Sequence, residues 1–249
     1  MRVLVTNDDG IHEPGIVHLA CAMRDAGFDV VIVAPRHEMS GSSASMAAHN
    51  DQICYETVEV AGWHAPAFAL DGSPALCVIA GVLEAFGEPP ELVVSGVNPG
   101  FNTGRSTLHS GTVGAVLTAA AWGLSGLAVS IDVGAPTRWH TATGLAQRAA
   151  RWLIAAPPRT ALNLNVPNVE PHELRGVRHA PLAPIGAMRT SIADHTPGLI
   201  RLQLRPNGSP VPADTDTALV REGYATVSLL TPPTAIDDDS VLAAFARQD

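Results

Sequence analysis

Two short apolar runs near the N-terminus, separated by one helix-like segment, constrain the fold more than any other feature of the sequence. Arg2–Thr6 and Asp29–Ala34 are rich in β-branched residues, which is typical of buried strands. Between them, Pro14 is placed to begin a helix and Gly27 to end it. Such a strand–helix–strand unit predicts parallel strands. We therefore expect an α/β protein built on a parallel sheet.

The same alternation continues to about residue 166, after which prolines become frequent and the pattern becomes β-rich. We expect an α/β catalytic core over residues 1–166, and a β-rich extension with a C-terminal oligomerisation arm over residues 167–249. The core is predicted to contain helices at Pro74–Phe86, Gly111–Trp122 and Arg138–Ala155, and strands at Leu92–Ser95, Leu127–Ile131 and Thr160–Val166. The extension is predicted to contain strands at Gly176–Ala180, Leu199–Leu204 and Tyr224–Leu230, and helices at Thr215–Glu222 and Val241–Arg247.

Composition narrows the class of partner. The 249 residues carry 15 basic and 24 acidic side chains, a formal charge of −9, which argues against a nucleic-acid polymer or an anionic membrane as partner. No apolar stretch reaches the roughly 18 residues of a membrane span, and the apolar part of the N-terminus is too short for a signal peptide. We expect a cytoplasmic protein. A phosphorylated small-molecule substrate stays compatible with the charge, because a bound metal reverses its sign locally.

The turn after the first predicted strand, Asn7–Gly10, contains two adjacent carboxylates, Asp8 and Asp9. Their repulsion needs a cation or hydrogen bonds to offset it, and oxygen ligands suit Mg²⁺ or Mn²⁺. The alternative is that one of them only caps the following helix.

Two further loops leave the predicted sheet at the same end. Ser40–Ser45 offers hydroxyls and backbone N–H groups that could cradle an anion or a metal, although serine-rich loops are also ordinary connectors. Ser95–Gly104 is rich in glycine and asparagine, and the chain then reaches Ser110-Gly111-Thr112 at a predicted helix N-terminus, where phosphate binds favourably. The alternative there is a long structural loop.

Four segments together resemble the SurE family of survival-protein nucleotidases: VLVTNDDGIHEPGI, the Ser40-Gly41 loop after VIVAP, SGVNPGFNTG and HSGTVGA. Their order and spacing match across residues 1–131, and weaker matches extend to residue 232. The resemblance implies a Rossmann-like core with a swapped C-terminal arm and a metal-dependent phosphatase acting on nucleoside monophosphates. It places the ligands of one divalent metal ion per subunit on Asp8, Asp9, Ser40 and Asn98, and the phosphate contacts on Asn102, Ser110, Gly111 and Thr112.

Departures from the family pattern surround this set. They are Arg36–Met39 in place of an acidic and polar stretch, Leu76 in place of aspartate, His109 in place of tyrosine, and Thr118 in place of an acidic residue. The cation of Arg36 is expected to favour a second anionic group or a polar sugar over a bare nucleoside, and loss of the tyrosine to weaken stacking on a base. Ordinary nucleoside monophosphates are then expected to be poor or moderate substrates. Two alternatives follow: a dedicated phosphatase for a phosphorylated sugar or modified nucleotide, and a catalytically weak nucleotide- or metal-binding homologue.

The expected mechanism is direct attack by water, with Asp8 and Asp9 mainly as metal ligands. The alternative is attack by Asp8 itself, through a covalent aspartyl-phosphate. His109 is the nearest candidate for a general acid, or else a polar loop residue. The apolar side chains of Tyr224, Val227, Leu229 and Leu230 need a partner surface, either in the chain's own core or in a second subunit, and we expect a homodimer or homotetramer.

Overall fold

The structure is a computed structural model that describes residues 1–47 and 52–245. Its strands are β1 (Arg2–Thr6), β2 (Asp29–Pro35), β3 (Tyr55–Thr57), β4 (Ala67–Leu70), β5 (Leu92–Pro99), β6 (Ser125–Ile131), β7 (Ala161–Val166), β8 (Val177–His179), β9 (Met188–Thr196), β10 (Leu199–Pro206) and β11 (Ala225–Leu230). Its α-helices are α1 (Pro14–Asp25), α2 (Pro74–Val82), α3 (Gly111–Ala121), α4 (Trp139–Ala155) and α5 (Asp216–Arg221), and 3-10 helices span Gly104–His109 and Asp239–Phe245.

One nine-stranded sheet runs in the order β3-β4-β2-β1-β5-β6-β7-β11-β8. The strands from β4 to β7 in this order are all parallel, whereas β3 and β11 pair antiparallel with β4 and β7. From β1 the chain first builds outward through β2 and β4, then returns to the other side of β1 to form β5. Strand order therefore reverses between β1 and β5, and a crevice at such a point is where open α/β sheets bind ligands.

Both faces of the sheet are covered by helices. Helices α1 and α4 pack together on one face, and α2 and α3 on the other. Strand β1 lies between the two layers: Val3 and Val5 join one apolar cluster, Leu4 joins the other, and all three side chains are fully buried. The α/β fold class expected from the sequence is confirmed. The continuous apolar run of β1 predicted it, because a strand buried on both faces needs apolar side chains in both directions.

Most predicted element positions agree with the structure to within a few residues. The helix expected over Pro74–Phe86 is shorter and ends at Val82, since Glu84 has a φ of 64°, which a helix cannot contain. Strand β9 was not predicted, because seven of the nine residues in its sequence MRTSIADHT are exposed and the strand presents no apolar face to detect. The C-terminal helix expected over Val241–Arg247 lies partly outside the described residues.

The segment after residue 166 contributes both to the main sheet and to a separate hairpin. Strands β11 and β8 extend the sheet beyond β7, while β9 and β10 pair, among the described residues, only with each other. The division into two domains at residue 167 stays a prediction. In the part of the chain that the structure describes, no helix is both long and apolar enough to cross a membrane.

Candidate active site

Asp8 follows β1 directly and is almost completely buried, with 3% of its surface exposed. The N–H of Gly111 donates to its Oδ2 at 3.1 Å, and the hydroxyl of Thr112 donates to its Oδ1 at 2.5 Å. Burial raises the pKa of the Asp8 carboxyl, and these hydrogen bonds oppose that rise. The carboxylate is thus fixed against the N-terminus of α3, where the helix dipole also favours negative charge.

Asp9 lies in a different environment although it is the next residue. It is partly exposed, and no side chain or backbone group of the described residues outside Asp9 itself donates a hydrogen bond to its carboxylate. Burial, followed by the charges of Asp8, Glu13 and Glu38, raises the pKa of Asp9 to about 7. Ionised Asp9 is therefore destabilised at neutral pH by its surroundings, and a cation bound beside it would remove that cost.

The serine-rich loop is packed onto the start of α3. Met39 donates its N–H to the Asp8 carbonyl at 2.7 Å, and the Ser43 hydroxyl donates to the Leu108 carbonyl at 2.6 Å. A Cβ on Gly114 would lie 2.2 Å from the Ser43 carbonyl oxygen, so only glycine permits this approach. Ser40 is exposed, and its N–H donates to Glu38 Oε1 at 2.9 Å. The loop and the Asp8-Asp9 turn therefore form one crevice wall.

Ser42, which the sequence did not single out, lies deeper in the same loop. Its Oγ is buried and has no hydrogen-bond partner within residues 1–47 and 52–245. A Cβ placed on Gly111 would lie 2.8 Å from both Ser42 Oγ and Asp8 Oδ2, so the hydroxyl and the carboxylate border the same small space. No local sequence signal distinguishes Ser42 from its serine neighbours, because only the packing against Gly111 buries it.

Asn98 lies near the end of β5, across the switch point from Asp8. Its Nδ2 donates to the Gly100 carbonyl at 2.7 Å, which orients the amide and leaves Oδ1 without a donor among the described residues. Gly15 on α1 lets the helix start pack against this segment, since a Cβ there would lie 2.2 Å from the Val97 carbonyl oxygen. Strand pairing thus places Asn98 near the end of the strand next to the one that leads into the two aspartates.

Asn102 is held by polar groups from β6 and β7. Its Nδ2 donates to Ser130 Oγ at 2.9 Å, and its N–H donates to Asn165 Oδ1 at 2.8 Å. The side-chain amides of Asn163 and Asn165 both donate to the Asn102 carbonyl, at 2.9 and 3.0 Å. Asn163 and Asn165 were not predicted from the sequence as site residues, although two polar side chains two positions apart in a buried strand are a detectable signal.

The remaining predicted phosphate contacts have structural partners of their own. Ser110 is the N-cap of α3, its Oγ accepting the N–H of Val113 at 3.1 Å. Thr112 is fully buried and donates to Asp8 as described, whereas His109 is exposed beside them. Thr118, one of the family departures, is buried and donates to the Gly114 carbonyl at 2.7 Å within α3.

Arg36 does not offer the free cation that was expected from its position. Its guanidinium pairs with Asp71 at 2.8 Å and also with Glu56. Both carboxylates are about half exposed, and together they balance the arginine charge within the chain. The expectation that Arg36 favours a second anionic group or a polar sugar on the substrate stays a prediction, and these ion pairs compete with it.

Comparison with known proteins agrees with this architecture. A family model described as Survival protein SurE matches residues 3–188. A 5'-nucleotidase SurE of Syntrophobacter fumaroxidans is 40% identical over 180 residues, which cover 72% of this chain and 71% of that protein. A 5'/3'-nucleotidase SurE of Cronobacter sakazakii is 35% identical over 256 residues, covering 100% of this chain and 94% of that protein.

The crystal structure of the SurE protein from Aquifex aeolicus has a similar fold, with a TM-score of 0.78 and 25% identity. The similarity covers 99% of this chain and 98% of that one. Motifs, fold and relatives agree over most of the sequence, and the chain belongs to the SurE family.

Proposed function

We propose that the protein is a metal-dependent phosphomonoesterase that hydrolyses nucleoside monophosphates. The observation that carries this proposal is the placement of Asp8, Asp9 and Asn98 at or after the ends of the neighbouring strands β1 and β5, on either side of the switch point, with Asp8 hydrogen-bonded to the N-terminus of α3. The names of the relatives, 5'-nucleotidase and 5'/3'-nucleotidase, supply the reaction class and the substrate.

We propose that one divalent ion per subunit, Mg²⁺ or Mn²⁺, is held by Asp8, Asp9, Ser40 and Asn98. Supporting this, these donors are all oxygens, and the partly buried Asp9 carboxylate has an unfavourable charge that an ion would offset. Among residues 1–47 and 52–245, no three His, Cys, Asp or Glu side chains cluster as a metal site, so neutral oxygens must complete the set. When bound, such an ion lowers the pKa of water and polarises phosphoryl oxygens.

The chain's own groups would hold and orient the phosphoryl group. Asn102 is anchored by β6 and β7, and Ser110 lies at the helix N-terminus, so both are fixed before substrate arrives. Such preorganised donors stabilise charge that develops in the transition state. Thr112 donates to Asp8, and its hydroxyl must turn toward the phosphoryl group if it is also to bind substrate. His109, exposed one residue before Ser110, is the proposed general acid for the leaving oxygen.

Phosphate release from a panel of monoesters tests the proposal. The panel contains 5'- and 3'-nucleoside monophosphates, sugar phosphates and an aryl phosphate, each with Mg²⁺, with Mn²⁺ and with chelator, and Asp9→Asn serves as the control. We expect metal-dependent release from the nucleotides that the control lacks. Release no faster than that of the control would reject the enzyme, and a clear preference for sugar phosphates would reject the substrate.

We further propose that residues 167–249 contribute to a homodimer or homotetramer, and that the protein is cytoplasmic. Large apolar side chains on this part of the chain are more than half exposed, among them Ile192, Ile200, Leu202 and Leu229. An apolar groove of about 370 Å³ lies between α4 and the sheet, lined in part by Trp152, Leu164, Val227 and Leu229. A second copy of the chain would cover such surfaces.

A further inference from the structure

Asp216, at the start of α5, is a completely buried carboxylate, with 0% of its surface exposed. No Lys, Arg or His in the described chain forms an ion pair with it. Its compensation comes mainly from backbone N–H groups: Gly104 donates to Oδ2 at 2.8 Å, while Ala183 and Thr217 donate to Oδ1 at 2.9 and 2.6 Å. The Thr217 hydroxyl adds a longer bond to Oδ1 at 3.3 Å. A charge so placed is tolerated only because several donors converge on it.

These donors belong to different parts of the molecule. Gly104 begins the 3-10 helix that connects Asn102 to Ser110, two of the proposed phosphate contacts. Ala183 lies in the segment that leads to the β9–β10 hairpin, and Asp216 is 112 residues from Gly104 in the chain. One carboxylate thus ties the loop beside the proposed phosphate site to two segments of the C-terminal extension.

The loop and the segment before β9 also pack closely at neighbouring positions. A Cβ on Gly104 would lie 2.7 Å from the nitrogen of Gly186, and a Cβ on Gly186 would lie 2.1 Å from Ser106 Oγ. The N–H of Ala187 donates to Thr103 Oγ1 at 3.1 Å. Because the two backbones lie this close, the loop that contains Gly104 has no room to move toward the extension. The hydrogen bond from Gly104 to Asp216 opposes movement in the other direction.

We propose that Asp216 is a positioning residue for the proposed phosphatase reaction: it holds Gly104 and thereby fixes the loop from Asn102 to Ser110 for binding the phosphoryl group. This rests on the proposed function. The sheet holds one end of the loop through Asn102 and its bonds to β6 and β7, and Asp216 holds it two residues further along, at Gly104. Both carboxylate oxygens of Asp216 can accept from the surrounding N–H donors. An asparagine at this position would place its own NH₂ group, which can only donate, against one or more of those N–H groups.

Asp216→Asn is the direct test, and Val220→Ala is its matched control. Val220 lies on the same short helix and is 3% exposed, so its truncation weakens the packing of α5 without removing an acceptor. In Asp216→Asn we expect the KM for a nucleoside 5'-monophosphate and the inhibition constant for inorganic phosphate to rise together, by about tenfold or more. The metal concentration for half-activation should change less than twofold, because the proposed metal ligands are outside this loop. Val220→Ala should lower the melting temperature and leave both constants within twofold.

An active parent enzyme with unchanged constants in a folded Asp216→Asn variant would overturn the inference, as would an equal rise in Val220→Ala. An inactive parent would instead reject the proposed function. If Asp216→Asn does not fold, Gly104→Ala decides, because its φ of 61° and the contact with Gly186 displace the same loop from the other side. Unchanged constants in that variant would also overturn the inference.

Hydrogen exchange of the unaltered protein gives a further check: residues 103–109 should be as protected as residues 183–187, and fast exchange confined to 103–109 would contradict the shared anchor.

Discussion

Replacing Asp9 by asparagine should make the metal-free protein more stable at neutral pH. The Asp9 carboxylate is partly buried beside Asp8, Glu13 and Glu38, and these surroundings raise its pKa from 3.8 to about 7. The folded state therefore binds a proton more tightly than the unfolded chain does, and ionised Asp9 works against folding. Asparagine retains the shape of the side chain and removes the charge.

The size of the effect follows from the two pKa values. One pKa unit corresponds to about 1.36 kcal/mol, so a rise from 3.8 to about 7 gives at most on the order of 4 kcal/mol. Partial exposure of Asp9 and screening by water reduce this value. For a chain of this size each kcal/mol moves the melting temperature by roughly 2–4 °C, so we expect a gain of several degrees above pH 7.

The pH dependence gives the sign of the effect. Below about pH 4 Asp9 is protonated in the folded and the unfolded chain, so parent and variant should be equally stable. As the pH rises from about 4 to about 7, the parent loses the stability that comes from its raised pKa, and the difference grows. Above about pH 7 the difference should be constant.

The assay is thermal unfolding of metal-free protein between pH 4 and pH 8. Glu88→Gln, at an exposed position, changes the net charge by the same amount and serves as the control. Adding Mg²⁺ or Mn²⁺ at pH 8 should raise the melting temperature of the parent and of Glu88→Gln, but not that of Asp9→Asn. A variant no more stable than the parent at pH 8, or a gain that persists unchanged at pH 4, would refute the reasoning.

Three further predictions concern the site and the assembly. Asp8→Asn should reduce metal-dependent phosphate release by roughly 100-fold or more, because losing a residue that only hydrogen-bonds to a metal ligand already costs up to about 100-fold. Full turnover with the metal-activation curve of the parent would contradict this. His109→Tyr should lower kcat for a nucleoside monophosphate, because the proposed general acid is lost, and should lower its KM relative to that of an aryl phosphate by roughly fivefold, because the ring stacks on the base; an unchanged ratio of the two KM values would count against this. Light scattering at micromolar concentration should give a dimer or tetramer, and a single monomeric species would reject the proposed assembly.

The sequence alone determined the elements that repeat along the chain and the positions where they stop. The apolar run of β1 and the turn residues after it placed Asp8 and Asp9 at a strand end, and Ser110 was recognisable as the start of a helix. These features depend on residues close in sequence: side-chain periodicity, turn propensity and capping act over a few positions. For that reason the crevice loops could be chosen before the structure.

Tertiary structure alone decided which groups meet. Asp8 receives its hydrogen bonds from residues 103 and 104 positions away, Asp216 reaches Gly104 across 112 positions, and Arg36 is paired by Asp71 and Glu56. Such partners are fixed by strand order and by backbone approach at glycines, neither of which leaves a local pattern. A charged residue can be read from the sequence, but whether its charge is free or already balanced depends on neighbours that only the folded chain brings within hydrogen-bond distance.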